Sequence, residues 1–85
     1  MRPTKHATER WAERFPDRDL TLEYCSARKG IGKRLRRKIG AQCPRHYRYT
    51  KGKFAGRYYL LNRNDIVFVM APPEIIITVF ELIRS

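Results

Sequence analysis

Acidic residues are scarce in this sequence, and they are missing where the basic ones are densest. Eight Asp and Glu stand against nineteen Lys and Arg, for a net charge of +11 and a pI near 10.4. Between Tyr24 and Asn64 there are thirteen Lys or Arg and no Asp or Glu. So few carboxylates in that block argue against a two-metal nuclease centre. Cysteine is limited to Cys25 and Cys43, which suits a cytoplasmic protein with reduced thiols while leaving room for one disulfide. With His46 they make an incomplete ligand set, because Cys-x-x-His lacks a fourth partner; no metal and no cofactor is expected. Long apolar runs are lacking as well. The best ones are broken by Pro72, Pro73 and Glu81, so no membrane span is expected. The opening MRPTKHATER has no apolar centre for a leader peptide. Repeats, linkers, a P-loop spacing and a Ser/His/Asp arrangement are all missing.

What is present is an 85-residue chain, read as a single domain over residues 1–85 with a limited core. The acid-free basic block reads as a polyanion surface, RNA first and DNA second. In RKGIGKRLRRK, seven of eleven residues are basic. Lys33, Arg34, Arg36, Arg37 and Lys38 form a strip suited to phosphates, or more plainly a solvated segment. Tyr47, Tyr49 and Tyr58 alternate with Arg48 and Arg57. Aromatics interleaved with arginines on strands suit stacking on single-stranded RNA, although alternation commits at least half of these tyrosines to packing.

The spacing predicts a helix over 5–14, capped by Thr4, with Ala7, Trp11 and Phe15 as its apolar stripe and Pro16 as its stop. Asp19 caps a second helix with Leu20, Tyr24 and Ala27 on one face. GKRLRRKIG is read as a short third helix closed by Gly40. The aromatic alternation of HYRYT reads as a strand, KGKFAG as a turn, and RYYLL as a second strand. NRND is a loop of turn formers. IVFVMA and IIITVFEL are strands apolar on both faces, hence central or helix-covered. The expected fold is α+β, with two or three N-terminal helices on a four-stranded antiparallel sheet.

Within TKHATERWAERF, His6, Arg10 and Arg14 fall one turn apart in a column beside the apolar stripe. An imidazole there can act as acid or base near neutral pH, and arginines can hold a phosphate. The plainer alternative is an exposed face in which Glu9, Arg10, Glu13 and Arg14 pair with one another. His46 is a second candidate acid or base. Thr78, which interrupts IIITVF, is either a structural β-branched residue or a polar group facing a site beside the first helix, on the strand face of Ile76 and Phe80.

The order of these parts resembles a known family. A basic domain that opens on KHATERWAERF and ends on GRYYLLNRNDIVFVMAPPEIIITVF looks like the small domains of the barnase, EndoU, colicin and RelE superfamily, which includes RelE-like toxins and their bacterial and phage relatives. The resemblance implies helices packed on a four-stranded antiparallel sheet and, in many members, metal-independent ribonuclease activity. It implies that His6, Arg10 and Thr78 belong to an active cleft; Arg14, by its spacing, is a candidate phosphate group. It also implies a bacterial or phage-infected host as the cytoplasm in question and an antitoxin as a possible kind of partner, while the basic charge suits an acidic host protein. The full lysine, arginine and tyrosine set of the family does not align here. Three readings follow. The first is an endoribonuclease that leaves a 2′,3′-cyclic phosphate. The second is an RNA- or DNA-binding module without catalysis. The third is a basic inhibitor that docks on an acidic host protein.

Overall fold

Thr4 is where the chain changes from strand to helix. In a computed structural model, which describes residues 1–47 and 56–84 with only the backbone at 46 and 47, Arg2–Pro3 forms a two-residue strand, β1. Thr4 follows with extended backbone, and its Oγ1 accepts from the Ala7 N–H to cap helix α1, Lys5–Arg14. The expected stripe of Ala7 and Trp11 is buried, and Phe15, which closes the helix, is buried with it. Asp19 caps α2, Leu20–Cys25, by accepting from the Leu22 N–H at 3.0 Å.

The chain then crosses the edge of the sheet. Arg28 exchanges two backbone hydrogen bonds with Leu61, which carries residues 28–32 from one sheet face to the other. There α3, Lys33–Gln42, begins. It is longer than GKRLRRKIG implied: Gly40 lies buried inside it, and the helix closes at Cys43. A short helix α4, Pro44–Tyr47, follows.

The sheet is made of β1, β2 (Tyr58–Leu61), β3 (Ile66–Ala71) and β4 (Ile75–Glu81), in the order β1-β4-β3-β2. The two hairpin partners are antiparallel, but β1 runs parallel to β4 through Arg2↔Ile75 and Pro3↔Ile76. The sheet is therefore mixed, a correction to the antiparallel expectation. Its fourth strand is the N-terminal Arg2–Pro3 pair. Of HYRYT, His46 and Tyr47 lie in α4 rather than in a strand, and Arg48, Tyr49 and Thr50 lie outside the described residues. A prolyl start at Pro44 favours a first helical turn there over a strand.

Both sheet faces are covered. Ala7, Trp11 and Phe15 of α1 pack with Phe68, Met70, Ile76 and Val79, and Leu20 and Tyr24 join them from α2. Ile39 and Leu35 of α3 pack on the other face against Tyr59, Val67, Val69 and Phe80. This is why β3 is apolar on both sides: residues 66–70 are all buried. Each such side chain contributes about 1.5–3 kcal/mol by leaving water.

A bulge sits between the last two strands. Val69 pairs with Thr78 and Met70 with Ile76, so Ile77 is the extra residue on β4. Simple alternation puts Ile76, Thr78 and Phe80 on one face. The bulge instead sends Ile76 to the α1 face and leaves Thr78 with Phe80 toward α3. The hairpin loop between β2 and β3 turns on Asn62, whose Oδ1 accepts from the Asn64 and Ile66 N–H groups. Asp65 completes it with a left-handed φ of 59°. No helix among the described residues is long and apolar enough to cross a membrane.

Candidate active site

β1 ends after two residues because the chain turns into α1. Among the described residues, β4 therefore has no strand neighbour on that side beyond Ile76. Side chains fill part of the gap. The Thr4 N–H donates to the Ile76 carbonyl at 3.0 Å, and the Thr4 hydroxyl donates to the Ile77 carbonyl at 3.2 Å. At the far end of α1, Arg14 Nη1 donates to the Val79 carbonyl at 3.0 Å.

A cleft of about 550 Å³ runs along this edge. One wall is the α1 column, His6, Arg10 and Arg14. The floor is β4 with Thr78, Phe80 and Glu81. The opposite wall comes from the end of α3 and the start of α4: Gln42, Cys43, Pro44 and Arg45. Gln42 fixes that wall. Its side-chain amide donates to the Ile83 carbonyl and accepts from the Ile83 N–H, both at 2.9 Å. The tail after β4 is thereby tied to α3.

The four residues singled out from sequence at this end of the molecule thus meet in one place. Their states differ. His6 is exposed. Thr78 is 7% exposed. Arg10 is half-buried and bonded to Glu13 at 2.8 Å, as the plainer alternative expected. Arg14 combines a lining position with its structural bond to Val79. His46 follows Arg45 in α4, but its side chain, like that of Tyr47, lies outside what is described.

Two charged cleft residues, Arg45 and Glu81, were given no site role by the sequence argument. Arg45 sits in a stretch read as the approach to a strand, so its position on a helix across from α1 was not foreseen. Glu81 was legible only as one of the few acids outside the basic block. In the sheet it pairs with Ile66 and is the only carboxylate among the described lining residues. The cleft accordingly offers an imidazole, a carboxylate, a threonine hydroxyl and three guanidinium groups around one space. Among the described residues, no three His, Cys, Asp or Glu side chains come together as a metal site.

The remaining candidates lie elsewhere. Lys33, Arg34 and Arg37 are exposed along α3, with Lys38 half-buried. Arg36, Arg57 and Tyr58 line a smaller notch of about 220 Å³ at the β2 edge, with Lys29, Ile31 and Tyr59. Tyr58 is less available as a stacking platform than its sequence suggested. Lys29 Nζ lies 4.6 Å from its ring centroid, and its hydroxyl donates to the Pro73 carbonyl. Arg48 and Tyr49 lie outside the described residues. Comparison with protein-family models, with curated proteins and with solved structures finds no match to this chain.

Proposed function

We propose that this chain is a small RNA-directed protein, a metal-independent endoribonuclease related to the RelE-like domains that its sequence resembles. The observation that carries the reading is the convergence of His6, Arg10, Arg14 and Thr78 on one cleft, with Glu81 and Arg45 across from them. RNA cleavage without metal needs a base, an acid and cations around one phosphate, and the cleft holds each type. In the reaction, the ribose 2′-oxygen bonds to phosphorus as its proton passes to the base. The bond from phosphorus to the 5′-oxygen breaks, and the acid protonates that oxygen. The products are a 2′,3′-cyclic phosphate and a 5′-hydroxyl. Glu81 is the carboxylate suited to take the first proton, and His6 the imidazole suited to supply the second. Arg10, Arg14 and Arg45 surround the charge that builds on the phosphoryl oxygens. The Thr78 hydroxyl donates to one of those oxygens.

A second reading, an RNA- or DNA-binding module without catalysis, draws on the engagement of Arg10 by Glu13 and of Arg14 by Val79. One assay separates the two. Labelled RNA of mixed sequence is incubated in EDTA with the parent protein, His6→Ala and Thr78→Val, and its ends are examined. The parent protein is expected to leave cyclic phosphate ends. His6→Ala should lose cleavage at least a hundredfold while still retarding RNA on a native gel. RNA left intact but retarded by all three proteins makes this a binding module. RNA neither cut nor retarded removes the RNA reading and turns the search to an acidic host protein or an antitoxin.

A further inference from the structure

Every Asp and Glu side chain of the chain lies among the described residues, and none of them forms an ion pair with α3. Their partners are the Met1 amine, Arg10, Arg18 and Arg84. Yet five of the ten residues of α3 are Lys or Arg. At about 100° per residue, Lys33, Arg34 and Arg37 share an arc of about 100° on the side opposite Leu35 and Ile39. Leu35 and Ile39 pack on the sheet, and the three cations are exposed. They form an outer ridge along the helix.

The ridge stands against the local electrostatics. Lys33 and Arg34 occupy the first turn, where the free N–H groups are already positive, and no acidic residue is there. The cap residue, Gly32, supplies no side-chain hydrogen bond. Cations at that end of a helix weaken it. Charge set against stability, with no carboxylate side chain paired to it, is explained by an anion that binds from outside.

The make-up of the ridge selects among anions. A membrane surface needs apolar side chains beside the basic ones to enter the headgroup layer, and here Leu35 and Ile39 are committed to the sheet. A single strand is held by aromatics on which its bases stack, and α3 contains no aromatic residue. A double-helical RNA hides its bases and is recognised through its shape and its backbone. Cations on a straight, sheet-backed helix meet that requirement with nothing further.

The same helix leads to the cleft. Gln42, its last residue, and Cys43, which closes it, both line the cleft. Gln42 is held there by its two bonds to Ile83. Paired RNA cannot itself be cut in the cleft, because the A-form backbone keeps the 2′-oxygen out of line with the 5′-oxygen, and attack needs the two aligned. The nucleotide that reacts must be unpaired.

We propose that the outer ridge of α3 docks double-helical RNA, and that the substrate is an RNA in which a stem adjoins an unpaired segment, the stem on the ridge and the segment in the cleft. The claim rests on the RNA reading above and narrows it to a class of substrate.

The test reads affinity by fluorescence anisotropy at low salt with 2′-O-methyl RNA, which has no 2′-hydroxyl to react. The probes are a duplex of twelve pairs, a polypyrimidine strand of twelve residues, and the same duplex with an unpaired tail of six. The proteins are the parent chain, Arg34→Gln with Arg37→Gln, and Lys33→Glu, each checked by circular dichroism. All three positions are exposed, and Lys33→Glu puts an acid where the helix dipole favours one, so this variant keeps the test usable if the double variant does not fold. The parent should bind the duplex about fivefold or more tighter than the single strand, and the tail should tighten it further by entering the cleft at high effective concentration. Both variants should lose about tenfold on the duplex and about twofold or less on the single strand. Equal parent affinity for duplex and single strand, or equal losses on both, overturns the duplex site and leaves the RNA reading standing. A tail that adds nothing overturns the link between ridge and cleft. A parent protein that binds none of the probes overturns both readings and turns the ridge toward an acidic protein.

Discussion

Thr4 carries three tasks with one short side chain and one backbone amide. It caps α1, bridges to Ile77, and holds Ile76. Thr4→Val should cost about 1–2 kcal/mol in urea unfolding, through the lost cap and the lost bond to the strand. Thr4→Ser should restore most of it. The capping role was legible from Pro3-Thr4 ahead of a periodic stripe, but the hydroxyl bond to Ile77 spans 73 positions and has no local signal. Asn62 is similar. NRND announced a turn, yet nothing in it announced that Asn62 would be buried and would donate to both the backbone and the carboxylate of Glu23. The hydrogen bond from Asn64, helped by that from Asn62 and the charges of Arg18 and Arg63, holds the Glu23 carboxyl below its ordinary range against an opposing effect of burial. A depressed carboxylate stabilises the fold above its unfolded pKa, about 4.3, and that contribution is lost as pH falls through the lower folded value. Glu23→Gln should therefore flatten the acid limb of the stability curve below about pH 4.3, as measured by thermal unfolding at successive pH values.

At the scale of elements, α1 and α2 were readable because cap, period and stop agree, and β3 and β4 because their apolar runs are bounded by turn formers. The helical turn at His46 and Tyr47 was not, because alternation over five residues is short and Pro44 starts a helical turn equally well. The parallel β1 was beyond reach: two residues carry no period. Thr78 was placed on the correct strand, but the face assigned to it depended on a bulge that alternation cannot reveal. Helix α3 offers the sharpest test of its own purpose. Gly32 caps it without a side-chain hydrogen bond, and a Cβ there would meet open space. Gly32→Asp should raise stability by about 0.5–1 kcal/mol through capping and the helix dipole, while weakening RNA binding. A gain in both would separate the basic ridge from RNA. On the inner side of the same helix, Ile39→Ala should cost about 2–5 kcal/mol, since Ile39 is fully buried against the sheet.

For the molecule as a whole, charge is the dominant property. If duplex RNA lies on the α3 ridge, Arg34→Gln with Arg37→Gln should lower the slope of log affinity against log salt by about 1.8, at roughly 0.9 for each duplex phosphate no longer neutralised. A titration from about 50 to 200 mM salt would read it. The same charge bears on the unfinished edge of β4. A strand with exposed main-chain groups invites a second copy to zip onto it, the first step toward aggregation. Here the invitation is withdrawn in two ways: Arg14 covers the Val79 carbonyl, and any two copies meet as bodies of charge +11. Solubility in this chain thus depends on the arginines and lysines that its proposed chemistry uses. A bound polyanion, by neutralising them, would bring copies together on the RNA that carries them.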